Sequence, residues 1–211
     1  ELGLEWGISR FELRGVHESR VPRISGHARQ RLIRAVESFG VSITAISPGL
    51  FKIPFPDAVR KHSNLIWMDA EFEKARAVAE ARLADHLDRL LPESIAFAQA
   101  VGAPFLIAFS FSRSGASSGP APQGVVDAIG RAAEACKAGG VGLLVENEEG
   151  HWADTGERSA VLLERIGTSP VGVNWDPANA RIDGDTPFPD GYAAVRPLIR
   201  NVHFKDVRCH A

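Results

Sequence analysis

The chain alternates short apolar runs with helical segments, and this alternation constrains its fold more than any other feature. Six runs rich in β-branched and aromatic residues begin at residues 8, 41, 104, 141, 171 and 201. They are nearly continuous in apolar residues, as strands buried on both faces of a parallel sheet are. The pattern predicts an α/β fold with parallel strands, and both a barrel and a doubly wound open sheet remain possible at this level. The predicted strands cover residues 8–13, 41–46, 104–110, 141–145, 171–175 and 201–204.

Helices with recognisable ends are predicted between these runs. Apolar residues recur at helical spacing in residues 32–39 and 125–136, and glycines follow both segments as C-terminal caps. Asp154, with Glu157 three residues later, resembles a capping box at the start of another helix. Each of these helices would connect one parallel strand to the next.

One connection is longer than the others. Successive strands begin 33, 63, 37, 30 and 30 residues apart, and most of these intervals suit a single strand–helix unit. The interval of 63 residues contains a long helical stretch at 70–100, which Pro92 should break or kink. It also needs an insertion, for which residues 51–67 are the candidate.

Charge and composition exclude several functional classes. The 211 residues include 24 Lys and Arg against 26 Asp and Glu, a formal net charge of −2, which argues against a nucleic-acid partner and a polybasic membrane-surface protein. No run reaches the roughly 18 consecutive apolar residues of a membrane span. The two cysteines form no disulfide scaffold, so we expect a reducing, cytoplasmic setting. A homo-oligomer remains possible.

Three residues with metal-binding chemistry stand at the ends of neighbouring predicted strands. Glu146, Asp176 and His203 are 30 and 27 residues apart, about one strand–helix unit each, so all three can reach one rim of the sheet. Two carboxylates and an imidazole suit one Mn²⁺, Mg²⁺, Co²⁺ or Zn²⁺ ion. Taken singly, each residue is more typical of a solvated loop or a hydrogen-bonded core, so the prediction rests on the three together.

Further polar residues follow the strands. Glu12 ends the first strand, His151 follows the Glu-rich turn, and Lys205 lies two residues beyond His203, where a continuing strand would turn it to the same side. We expect Lys205 and Asp206 to serve the site, the alternative being a solvated ion pair. Arg14 and Arg113 also follow strands and could meet an anionic or hydroxyl-rich substrate, or pair with local carboxylates.

Four segments carry a resemblance to a known family: 11–14 (FELR), 144–148 (LVENE), 174–179 (NWDPAN) and 202–206 (VHFKD). With them the chain resembles the xylose isomerase-like TIM-barrel superfamily, in its sugar phosphate isomerase/epimerase branch. The resemblance implies one (β/α)8 barrel domain over residues 1–211. Six predicted strands instead of eight, and 211 residues against about 250 typical of the fold, predict a barrel truncated or incompletely represented at both ends.

The resemblance also implies a function. The metal would be held by Glu146, Asp176 and His203, with a fourth ligand, a Glu on the last strand of the family, for which nothing after His203 is a candidate. Glu146 would be an acid/base in a sugar or keto-sugar isomerase or epimerase working through an enediolate. A keto-sugar dehydratase or keto-glycoside eliminase, and a non-catalytic barrel, remain alternatives. Residues expected to contact substrate or support the ligands are Glu12, Asn147, His151, Asn179, Lys205 and Asp206.

Overall fold

A curved sheet of six parallel strands organises the molecule. The computed structural model describes residues 2–16, 19–56, 69–113, 119–167, 171–205 and 207. Within them, β1 (Arg10–Leu13), β4 (Ser42–Leu50), β5 (Phe105–Ala108), β6 (Gly142–Glu146), β7 (Val171–Trp175) and β8 (Ile199–Val202) are adjacent in that order. A small antiparallel pair, β2 (Gly15–Val16) with β3 (Ser19–Arg20), stands apart. Strands that follow one another in space as they do in the chain belong to a barrel, because the order of a doubly wound sheet reverses near its middle.

Helices connect the strands and pack on one side of the sheet. They are α1 (Leu2–Glu5), α2 (Gly26–Phe39), α3 (Asp69–Asp85), α4 (Leu91–Val101), α5 (Gln123–Ala138), α6 (Gly156–Ile166), α7 (Pro177–Ile182) and α8 (Tyr192–Val195). One turn of π-helix (His86–Leu90) joins α3 to α4, a second (Pro187–Gly191) leads into α8, and a 3₁₀ turn (Arg196–Leu198) leads into β8. Among the described helices none is both long and apolar enough to cross a bilayer.

The sheet curls strongly, and side-chain contacts between its two edge strands establish this. β1 and β8 are separated by four other strands, so in a flat sheet they would lie about 24 Å apart at the usual spacing between strands. Yet the amide Nδ2 of Asn201 on β8 lies 3.3 Å from Oε2 of Glu12 on β1. The six strands therefore form a half-barrel whose concave face brings side chains from both edges together.

Two apolar layers follow from this curvature. The larger core fills the space between the convex face of the sheet and the helices, where Leu106 and Leu143 pack with Phe97 and Ile129. A second, smaller cluster lines the concave interior and comprises Ala45, Ile107 and Leu144, with Phe105 against it. Because side chains alternate between the faces of a strand, the residues two positions after this interior cluster point to the same side, nearer the carboxyl ends of the strands.

The predicted elements are confirmed with shifted boundaries. β4 continues to Leu50 instead of residue 46, and β8 spans Ile199–Val202 instead of residues 201–204. The stretch at 70–100 is interrupted at His86–Leu90, one turn before Pro92, which lies in the first turn of α4 where proline is tolerated. Most of the proposed insertion at 51–67 lies outside the described residues.

The predicted capping box at the start of α6 is wrong by one residue. Thr155 is the N-terminal cap, and its hydroxyl accepts a hydrogen bond from the backbone N–H of Arg158 at 3.2 Å. Asp154 is fully buried in a charge cluster instead. Its carboxylate contacts the guanidinium of Arg113 and lies 2.8 Å from Nη1 of Arg158, so Arg113 is committed to local carboxylates.

Candidate metal centre

Three consecutive strands present the predicted ligands at their carboxyl ends. Glu146 is the last residue of β6 and lies two positions after the interior residue Leu144, so it faces the concave side. Asp176 follows β7 directly and caps α7, because its Oδ1 accepts a hydrogen bond from the N–H of Asn179 at 3.0 Å. His203 follows β8, and its backbone N–H donates to the carbonyl of Trp175 at 2.9 Å, which continues the ladder between the last two strands.

The structure brings these three side chains together. One ligand atom from each of Glu146, Asp176 and His203 lies within 4.8 Å of the others. The imidazole stands between two carboxylates, with Nδ1 at 3.3 Å from Oε1 of Glu146 and Nε2 at 2.8 Å from Oε2 of Glu12. These hydrogen bonds, first to Glu12 and then to Glu146, raise the pKa of His203 to about 10 against the opposing effect of burial.

The donor set fits a divalent cation. Glu146 and Asp176 are 6% and 1% exposed, and burying carboxylates so close together requires compensating positive charge. The ammonium of Lys205, 2.8 Å from Oδ2 of Asp176, supplies part of that charge. Two carboxylate oxygens and a ring nitrogen are the donors that Mn²⁺, Mg²⁺, Co²⁺ and Zn²⁺ accept, so the residues present can hold such an ion.

A network of amides fixes Asp176. The side chain of Asn147, which is fully buried, accepts from the N–H of Asp176 at 2.7 Å and donates to its carbonyl at 2.8 Å. Asn179 donates from Nδ2 to the carbonyl of Asn147 at 2.8 Å. Its Oδ1 accepts from Lys205 at 2.5 Å, and the ammonium thereby bridges Asn179 and Asp176. Partners of this kind restrict the orientation of a ligand before any ion binds.

The remaining predicted site residues are placed differently from one another. Glu12 contacts His203 directly, as described. His151 is buried beside Phe109, with ring centroids 5.9 Å apart, and its Nδ1 lies 2.8 Å from the carbonyl of Glu149. Burial lowers the pKa of His151, which favours the neutral ring. Asp206 lies outside the described residues.

Two asparagines of the site were not predicted. Asn174 on β7 places its Nδ2 3.2 Å from Nδ1 of His203, and its Oδ1 accepts from Asn201 on β8 at 2.9 Å. Asn174 precedes Asp176 by two residues, and Asn201 precedes His203 by two residues. The period of two along a strand would therefore have placed both on the interior face beneath the ligands.

Two cations near the rim were also missed. Nε and Nη2 of Arg20, at the end of β3, donate to the carbonyl and the hydroxyl of Ser47 at 2.7 and 2.9 Å. Nζ of Lys52 lies 2.5 Å from Oε1 of Glu148 and 4.6 Å from the ring centroid of Phe109. Lys52 follows the end of β4 at Leu50 by two residues, whereas the predicted strand ends at residue 46, so the sequence did not place Lys52 at the rim. No sequence signal places Arg20 there.

A family model, described as xylose isomerase-like TIM barrel, matches residues 1–211. The chain belongs to this family. The match agrees with the half-barrel and with the resemblance carried by the four sequence segments. Among curated proteins, no sequence matches the chain.

Solved structures with the same fold share little sequence with this chain. The probable 3-DHS dehydratase AsbF of Bacillus anthracis is 19% identical with a TM-score of 0.64, over 99% of this chain and 66% of that one. A xylose isomerase domain protein of Planctomyces limnophilus is 16% identical with a TM-score of 0.65, over 94% and 64%. An L-ribulose 3-epimerase is 17% identical with a TM-score of 0.57, over 94% and 59%. The chain therefore spans about two thirds of the length of these structures, or less.

Proposed function

We propose that the protein is a divalent-metal-dependent isomerase or epimerase of sugars or keto-sugars, with Glu146 as the acid/base. The observation that carries this proposal is the convergence of Glu146, Asp176 and His203 within 4.8 Å at the carboxyl ends of consecutive strands. Membership of a family whose structural neighbours include sugar epimerases supports the choice of reaction. The proposal takes residues 1–211 as one domain, since Glu12 from the first described strand contacts His203 after the last.

The residues of the site would divide the work as follows. A divalent ion held by Glu146, Asp176 and His203 would polarise a carbonyl and the neighbouring hydroxyl, which acidifies the hydrogen on the carbon that bears the hydroxyl. Glu146 would take that proton on its carboxylate and return it to the former carbonyl carbon in an isomerisation, whereas in an epimerisation a second acid would return a proton to the opposite face of the same carbon. Asn147 and Asn179 would hold Asp176 in place, and Lys205 would offer a positive charge where oxyanion character develops.

A lyase reaction can begin with the same proton abstraction. If the enediolate carries a leaving group on the adjacent carbon, elimination follows in place of reprotonation. One neighbour of the same fold is called a probable dehydratase, which keeps this reaction as the second candidate. The two candidates differ in the mass of the product, because elimination of water changes the mass and isomerisation does not.

The test separates metal binding from proton transfer. Mn²⁺ binding would be measured by calorimetry, and C–H exchange would be followed by NMR in heavy water with a panel of aldoses, ketoses and keto-glycosides. Glu146→Gln keeps an oxygen donor but removes the base, so we expect exchange to fall by at least about a hundredfold while some Mn²⁺ binding remains. His203→Ala should weaken Mn²⁺ binding by about ten- to a hundredfold.

Glu149→Gln is the matched control, because Glu149 is an exposed carboxylate three residues from Glu146 in the loop that follows β6. We expect it to bind Mn²⁺ and to catalyse exchange as the unmodified protein does. Normal exchange in Glu146→Gln would refute the catalytic role. Unchanged Mn²⁺ binding in the double variant with His203→Ala and Asp176→Asn would refute the metal site.

A further inference from the structure

Arg20 lies at the mouth of the half-barrel on the side of the metal ligands. Its hydrogen-bond partner Ser47 lies on β4, two positions after the interior residue Ala45. The ring centroid of Phe109 is 6.0 Å from the guanidinium carbon of Arg20, and Phe109 lies two positions after the interior residue Ile107 of β5. By the alternation of side chains, both neighbours belong to the rim layer that also contains Glu146. The charge of Glu146 influences the pKa of Arg20, which agrees with this placement.

The backbone of β4 approaches this guanidinium closely at Gly49. The pairing of β4 with β5 shifts register between Ile46 and Leu50, and Gly49 in this irregularity has a φ of +81°. A Cβ on Gly49 would lie 3.2 Å from both Cζ and Nη1 of Arg20, so only glycine leaves the side chain its ordinary room. With Nε and Nη2 bonded to Ser47, the orientation of the fork is fixed in advance.

No carboxylate among the described residues lies within salt-bridge distance of Arg20. The carboxylates whose charges act on the pKa of Arg20 already pair with other residues. Glu146 and Glu12 pair with His203, and Glu148 pairs with Lys52. Both bonds that fix the guanidinium go to uncharged oxygens. The guanidinium is half-buried, and burial is the main cause that lowers the pKa of Arg20. A partly buried cation with no ionic partner of its own costs stability unless a ligand supplies the counter-charge.

We propose that Arg20 anchors an anionic group, a phosphate or a carboxylate, on an open-chain ketose whose carbonyl end reaches the metal centre. The guanidinium retains Nη1 as a donor with no hydrogen bond to a described residue, and phosphate and carboxylate are the groups that arginine binds best. This assignment rests on the proposed function and specifies its class of substrate.

The test compares three ketoses that differ at C6 alone: D-fructose, D-fructose 6-phosphate and D-fructuronate, the C6 carboxylate. Dissociation constants would be measured by calorimetry at one ionic strength, with Mn²⁺ and without it. Since a charge-assisted hydrogen bond contributes about 1.5–3 kcal/mol, at least one anionic ketose should bind about ten- to a hundredfold more tightly than D-fructose. The tighter of the two anions identifies whether the group is phosphate or carboxylate.

Variants assign this preference to Arg20. Arg20→Gln should reduce the preference to less than about threefold. Arg20→Lys keeps the charge but cannot make both bonds to Ser47, so an intermediate preference is expected. Arg10→Gln is the matched control, because Arg10 is exposed at the opposite, amino-terminal end of β1, and it should keep the full preference.

Two results would overturn the proposal: equal binding of all three ketoses by the unmodified protein, or an unchanged preference in both Arg20 variants. Circular dichroism of Arg20→Gln shows whether it folds, and Arg20→Lys decides the question if it does not. Failure of the proposed function is recognised separately. In that case the unmodified protein binds no Mn²⁺ and catalyses no C–H exchange, while the preference for anionic ketoses is still measurable without the metal.

Discussion

Replacing Asn147 by Ala tests the amide network that positions Asp176. The substitution leaves the N–H of Asp176 without its acceptor in a site that is almost fully buried, whereas the carbonyl of Asp176 still accepts from the N–H of Ala180 at 3.2 Å. An unsatisfied buried group costs about 1–3 kcal/mol. We expect the free energy of unfolding to fall by about 2 kcal/mol, which lowers the melting temperature by about 4–8 °C in a chain of this size.

Urea unfolding followed by circular dichroism, with Mn²⁺ calorimetry on the same samples, would measure both effects. Because Asp176 loses its fixed orientation, we expect Mn²⁺ affinity to fall by about ten- to a hundredfold as well. Asn201→Ala provides the comparison. It also removes an interior amide, but Asn201 is half-buried and water can replace its hydrogen bonds to Glu12 and Asn174, so the loss should stay below about 1 kcal/mol.

The reasoning fails if Asn147→Ala is within about 1 kcal/mol of the unmodified protein. It also fails if Asn201→Ala is equally destabilised, because burial of the partner groups would then not determine the cost. Asn147→Asp adds a third measurement. It keeps an acceptor for the N–H of Asp176 but turns an anionic oxygen towards the carbonyl, and we expect it to be at least as unstable as the alanine variant.

Three further predictions concern the scaffold. Gly156→Ala should destabilise by more than about 2 kcal/mol, because the new Cβ would overlap the backbone of Gly191. Gly130→Ala would place its Cβ at an ordinary contact distance, 4.0 Å from Cγ2 of Ile166, and should stabilise α5 by up to about 1 kcal/mol. Burial raises the pKa of Cys136 to about 12, so Cys136→Ser should not change the number of thiols that Ellman's reagent labels in the native protein at pH 8. Burial lowers the pKa of His86, so the stability that its neutral form contributes is present above about pH 6.5 and is lost at lower pH. In urea titrations at pH 7.5 and 5.0, His86→Gln should therefore lose less stability between the two pH values than the unmodified protein does.

Each of these predictions has a contrary result. Equal stability of the two alanine variants would contradict the close approach at Gly156. A thiol lost from the native count in Cys136→Ser would contradict the burial of that group. The same loss of stability between pH 7.5 and 5.0 in His86→Gln would mean that His86 does not carry the pH dependence.

The parallel strands and the three converging residues were predictable because both follow from local rules. Continuous apolar runs indicate strands buried on both faces, and the carboxyl ends of parallel strands meet at one edge of a sheet. Glu146, Asp176 and His203 therefore had to be neighbours once their strands were adjacent. The same rules would have found Asn174 and Asn201, had the period of two been carried back along β7 and β8. Metal binding and catalysis by these residues stay predictions.

The environment of Arg20 could not be predicted because it depends on an irregularity that local sequence hides. Pro48 and Gly49 are typical of a turn, yet β4 continues through both with a shift of register and ends beyond the predicted boundary at residue 46. The contact between Arg20 and Ser47 joins residues 27 apart through a two-stranded pair that carries no periodicity. Only the folded arrangement reveals that the guanidinium faces the rim.

The contact between Glu12 and His203 has a consequence for how the protein is made. These residues are separated by 191 positions, so a chain leaving the ribosome exposes Glu12 long before its partner exists. At about 5–20 residues per second, the delay between them is about 10–40 s. During that interval the earlier strands can already pair with their neighbours, but the acidic mouth lacks its imidazole. The earlier strands can therefore be assembled before His203 joins Glu12.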